Sequence, residues 1–116
     1  MARVGALLTA LGDERRRCVV EALADGRRAS AGELAAQLDV TPALLTRHLR
    51  VLRAASVVRV ALDPDDHRRH VYELVPDPLL ELRDWAERVA AFWTGQLDSF
   101  TAYAHHERRG ERGADR

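Results

Sequence analysis

The chain has 116 residues, no lysine, and equal numbers of basic and acidic side chains, 18 of each. That length favours one compact domain, and an apolar content of 47% excludes a wholly disordered chain. No uncharged apolar run approaches the ~20 residues a membrane span needs, the N-terminus has no cleavable leader pattern, and the single cysteine, Cys18, forms no internal disulfide, so an intracellular, cytoplasmic protein is expected.

In chain order, residues 4–11 (VGALLTAL) read as a short helix ended by Gly12. Asp13 is the expected N-cap of a second helix, Glu14 to Ala24, stopped by Asp25-Gly26. The following RRAS reads as a loop. Ser30-Ala31-Gly32-Glu33 has the spacing of a capping box and opens a third helix to Leu38, with Leu34, Ala35 and Leu38 inward. Asp39-Val40 is a tight turn. Thr41 then offers a capping hydroxyl and Pro42 an N1 proline, so a fourth helix follows. Leu45, Leu49 and Leu52 fall on its buried side; Thr46, Arg47, Arg50 and Arg53 fall opposite.

VVRVAL at 57–62 and HVYELV at 70–75 switch to a period of two, and DPDDHRR between them is turn-rich, which predicts a β-hairpin. Asp77-Pro78 repeats the cap-and-proline signal and predicts a long helix over 78–106. Residues 108–116 lack apolar content and are expected to be a loose tail on a domain spanning 1–107.

Charge is segregated along the chain although the total is zero. Residues 41–70 hold six arginines against three aspartates, while 77–107 hold two arginines against six acids. A local basic surface can steer a polyanion even on a neutral molecule. Two short helices joined by a tight turn, the second basic outside, predict a helix-turn-helix over 30–54 with a wing over 57–75. Asp39 stands where such turns often need a positive φ. In that fold the second helix enters the major groove by its first turns. Thr41, Ala43, Thr46 and Arg47 are then near base edges, and the Arg47 fork suits guanine O6 and N7. His48 and Arg50 are assigned to the DNA backbone, the N–H groups at Ser30 to a phosphate, and Arg68 and Arg69 to a phosphate or a narrow minor groove.

The segments ALLTALGDERRRCVVEAL, SAGELAAQLDVTPALLTRHLRVLRAASVVR and RRHVYELVPDPL resemble the ArsR/SmtB family of winged-helix repressors, from about Leu7 to Tyr103. The resemblance implies a mainly α fold with a β-hairpin wing, in the order α-α-α-α-β-β-α, and a homodimer that releases its operator when an effector binds. It carries DNA-contact roles onto Thr41, Pro42, Ala43, Thr46, Arg47, His48, Arg68 and Arg69. The chain departs from the family at Asp13-Glu14, where Asp-Pro is usual, and at Asp39, where Gly is usual. The family's metal ligands are not visible: residues 30–38 hold no Cys, and the last helix offers only Asp98 and His105-His106-Glu107. The ending RDWAERVAAFWTGQLDSFTAY looks like a subgroup with an aromatic final helix and no recognised metal ligands, so neither metal nor cofactor is expected.

Apolar residues of the last helix recur at spacings of three and four. A domain this small has little surface to cover two tryptophans along ~40 Å of helix. Dimerisation through Trp85, Val89, Phe92, Trp93, Leu97 and Phe100, with Leu7, Leu8 and Leu11 of the first helix, is therefore expected. A C2 dimer places two recognition helices about one DNA turn apart, matching an inverted repeat in double-stranded DNA. Weaker alternatives are a metal site at Asp98, His105, His106 and Glu107, a thiol switch at Cys18, and an organic effector near Trp85, Phe92 and Trp93. A winged-helix module that docks protein rather than DNA is the competing function. No nucleophile, base and acid set on a plausible pocket supports an enzyme.

Overall fold

The computed structural model describes residues 2–91, 93 and 95, and the chain divides into two compact units, residues 1–82 and 83–116. The first unit carries α1 (Ala2–Ala10), α2 (Glu14–Ala22), a 3-10 turn (Ala24–Gly26), β1 (Arg28–Ala29), α3 (Ala31–Leu38), α4 (Pro42–Ala54), β2 (Val58–Leu62) and β3 (His70–Leu74). A further helix, α5, covers residues 77–91. The fold is mainly helical with an antiparallel hairpin after the helix pair, as expected.

The caps show why these segments are helical. The Asp13 carboxylate accepts the N–H groups of Arg15 and Arg16 at the start of α2. Ser30 and Glu33 form the reciprocal capping box of α3, and the Thr41 hydroxyl accepts the Leu44 N–H ahead of Pro42. These contacts satisfy backbone donors that the first helical turn leaves unpaired. At α5 the structure corrects the expected start. The Leu80 N–H bonds to the Pro76 carbonyl, so Asp77 lies within the first turn rather than at its cap. Its charge still favours that end of the helix.

The helices α3 and α4 end alike. Val40 N–H bonds to the Ala35 carbonyl and Asp39 N–H to that of Ala36; Val57 N–H bonds to Leu52 and Ser56 N–H to Arg53. Both are Schellman closures, which need one residue in the left-handed region. Asp39 (φ 52°) supplies it in the first, as the sequence predicts, and Ser56 (φ 62°) in the second, which the sequence reading did not single out.

The RRAS segment is not only a loop. Arg28 and Ala29 form an edge strand, giving a three-stranded sheet in the order β1-β3-β2. Arg28 and Arg59 both pair in register with Glu73 of the central strand, at 3.3 and 3.0 Å between charged atoms. Two residues are too few for a period to be read, and pairing with a distant strand is what makes them β.

The core gathers α1 to α4 and the base of β2. Leu7, Val19, Leu23, Leu34, Leu52 and Val57 have no exposed surface, and Leu45 and Leu49 almost none. Leu7 therefore corrects the expected dimer surface: its side chain is enclosed within its own protomer, while Leu8 beside it is 43% exposed and Leu11 is half-buried against the core. Successive helical residues point about 100° apart, so only part of α1 can face outward. Arg16 donates to the carbonyls of Ala10 and Thr9, and Arg17 to that of Leu11. These arginines close the end of α1 and favour its negative pole.

Ser56→Gly is expected to stabilise the fold by about 1 kcal/mol, since glycine adopts a left-handed conformation without the clash of a side chain. Urea unfolding measures it; a midpoint that does not rise would show that Ser56 is unstrained.

Candidate nucleic-acid interface

The outer face of α4 starts from its cap. Thr41, Pro42, Ala43, Thr46, Arg47 and Arg50 are all exposed. Thr46 donates its hydroxyl to the Pro42 carbonyl at 2.9 Å, so it presents its methyl group and an acceptor oxygen outward. Arg47, Arg50 and Arg53 form no ion pair among the described residues. Their charges are not neutralised by neighbouring acids. Arg47 and Arg50, on a helix of groove-filling width, suit guanine edges and phosphate oxygens, while Arg53 stands in the last turn, away from the end that enters the groove.

His48 corrects the sequence reading. It is 6% exposed and lies on the core side of α4 with Leu45, Leu49 and Leu52, not on the outer face. Both ring nitrogens are buried without a hydrogen-bond partner among the described residues. Its charge acts on Asp13 at the cap of α2. Burial pushes the Asp13 carboxyl up, but the Arg16 and Arg15 N–H bonds, with the charges of His48 and Arg16, leave it lowered from its ordinary value of 3.8.

The cap of α3 is the capping box that the sequence predicts. The Ser30 N–H is taken by the Glu33 carboxylate at 3.1 Å, and the Glu33 N–H by the Ser30 hydroxyl at 3.2 Å. The capping box thus occupies two of the donors that the sequence reading assigned to a phosphate.

The wing tip is built by short polar turns. Asp63 accepts the Asp65 N–H and Asp66 the Arg68 N–H, while Asp63 N–H bonds to the Arg69 carbonyl and closes the hairpin. The two wing arginines are not equivalent. Arg68 is exposed and forms no ion pair among the described residues. Arg69 pairs with Glu33 and lies 3.7 Å from Asp63, so it ties the wing to the start of α3. The sequence reading missed this tie because it joins residues 36 positions apart.

Among the described residues no three His, Cys, Asp or Glu side chains stand together as a metal cluster, and no helix is long and apolar enough to cross a membrane. Asp98, His105, His106 and Glu107 lie outside the described residues, as do Phe92, Leu97, Phe100 and the expected tail at 108–116.

Comparison with known proteins agrees with this geometry. A family described as a helix-turn-helix domain matches residues 11–61. Over 91 residues the chain is 41% identical to the HTH-type transcriptional regulator Rv2034 of Mycobacterium tuberculosis, covering 78% of each protein. Its fold is similar to that of an ArsR-like transcriptional regulator from Rhodococcus sp. RHA1, with a TM-score of 0.72 and 26% identity over 85% of this chain and 90% of that one. The chain belongs to the ArsR family of winged helix-turn-helix regulators. The fold is also similar to that of HlyU from Vibrio cholerae, with a TM-score of 0.60 and 26% identity over 76% of this chain and 91% of that one. As an ArsR-family protein it is a DNA-binding transcriptional regulator and not an enzyme.

The Asp13 carboxyl gives a pH test. Its folded-state pKa is below the unfolded one, so its contribution to stability is present above about pH 3.8 and is lost as pH falls through the lower, folded value. Asp13→Asn keeps an acceptor at the cap but cannot titrate. Its unfolding free energy should fall less steeply below pH 3.8 than that of the wild-type chain; identical acid slopes would remove Asp13 from the acid response.

Proposed function

We propose that this ArsR-family regulator is a homodimeric repressor that binds an inverted-repeat operator and leaves it when an effector binds. The observation that carries the DNA-reading part is the exposed, unpaired row of Arg47 and Arg50 on α4, opposite a fully buried apolar face. Arg47 is assigned to a guanine edge. Thr41, Pro42, Ala43 and Thr46 are assigned to the surrounding groove wall, with Arg50 and Arg68 on backbone phosphates. Arg69 reaches DNA only by releasing Glu33 and Asp63, so its first role is to hold the wing in place.

The dimer is supported by exposed apolar side chains: Leu8 at 43% and Val89 at 44%. Large apolar groups left in water favour association. Trp85, Phe92, Leu97 and Phe100 complete the proposed seam, as the spacing in the sequence suggests. Two protomers related by a two-fold axis would set their α4 helices about 34 Å apart and read a palindrome one helical turn long. Repression follows if the operator overlaps the promoter, because the bound dimer then excludes the polymerase.

A gel-shift titration with the DNA upstream of the protein's own gene tests this. Affinity should fall linearly on logarithmic axes as salt rises, through counterion release. Arg47→Ala should weaken specific binding by about 1–3 kcal/mol, roughly 5- to 150-fold in Kd. If the wild-type chain retains no duplex at moderate salt, or sediments as a single protomer, the proposal fails.

A further inference from the structure

At the other end of α4 is a groove that base reading does not use. It is an open groove of about 680 Å3 between the last turns of α4 and the base of β2. Arg50, Arg53 and Arg59 line it, with Val60 and Val75 as the accessible apolar part of its floor; Val58 beside them is 2% exposed and packs in the core. Arg59 is tied to Glu73, whereas Arg50 and Arg53 have no acidic partner among the described residues. Placed guanidinium groups beside apolar side chains are the combination that small-molecule sites use.

We propose that this groove is an effector site for an organic anion, a carboxylate with an apolar body. The carboxylate would be gripped by the Arg50 and Arg53 guanidinium groups, which suit it in paired hydrogen bonds, and the body would rest on Val60 and Val75. Two features favour a small anion over the duplex. The groove lies at the end of α4 away from Thr41 and at the base of the wing away from Arg68. Its valine floor also offers nothing to a sugar-phosphate strand, whereas it covers the apolar part of an amphiphile. The regulatory consequence rests on the operator-binding function proposed above. Arg50 belongs both to the groove and to the outer face of α4, so an anion held there withdraws its charge from DNA. Ligand and operator then oppose one another, each weakening the other by the same factor.

The test uses 4-phenylbutyrate as the probe and 4-phenylbutan-1-ol as its uncharged counterpart. Methyl NMR of the full chain should show saturable shifts at Val60 and Val75 with the acid, at least tenfold weaker with the alcohol. Arg53→Gln should weaken acid binding at least tenfold, with an unchanged melting temperature and an operator Kd within threefold of wild type. Saturating acid should raise the wild-type operator Kd several-fold. Absence of shifts at Val60 and Val75, or equal binding of acid and alcohol, overturns the site. A tenfold loss of operator affinity in ligand-free Arg53→Gln overturns it too, by giving the groove to the DNA backbone. If the acid binds and no operator does, the regulator proposal fails while the site stands. If both bind without antagonism, the site stands and its regulatory role is overturned.

Discussion

The burial of Leu45, Leu49 and Leu52 on one side of α4 is the constraint from which the rest follows. These side chains sit at the centre of the core, 1%, 2% and 0% exposed, and each is worth on the order of 2 kcal/mol in transfer from water. With that face committed, the rotation of α4 about its axis is set. Arg47, Arg50 and Arg53 then have nowhere to point but outward. The function of the outer face is thus a consequence of packing on the inner one.

The remaining elements hold α4 at a defined angle. The Schellman turn at Asp39 sets its approach to α3, and the second one at Ser56 turns the chain into β2. The sheet is locked by Glu73, which takes Arg28 from one neighbouring strand and Arg59 from the other. Such exposed pairs are individually weak; their value here is to fix the register from which the wing projects. The Arg69 contact to Glu33 does the same at the wing tip. Several arginines that look like nucleic-acid ligands by composition are therefore structural. Arg16 and Arg17 close α1, Arg28 and Arg59 flank Glu73, and Arg69 anchors the wing.

The family assignment and the structure agree on what the molecule is for, and the buried His48 shows where motif reading overreaches. Its place in the RHLR run suggests a DNA contact, yet it packs beneath the helix with both ring nitrogens unsatisfied among the described residues. A buried polar group of that kind costs about 1–3 kcal/mol without a partner. Its electrostatic influence on Asp13 links the core side of α4 to the cap of α2.

The sequence by itself determined the helix order, the caps at Asp13, Ser30 and Thr41, the turn at Asp39, the hairpin, and the two faces of α4. Each of these depends on residues within a few positions of one another, where hydrogen-bond reach and helical or strand periodicity decide the outcome. Only the tertiary structure decided that Leu7 and His48 lie inside, that Arg28 and Ala29 are a strand, that Arg69 is paired while Arg68 has no ion pair among the described residues, and that Arg50, Arg53 and Arg59 share one groove. Those outcomes depend on which distant segment arrives opposite, and on how far around each helix the core extends. Local periodicity narrows that choice to a face of the helix; long-range packing makes it for each side chain.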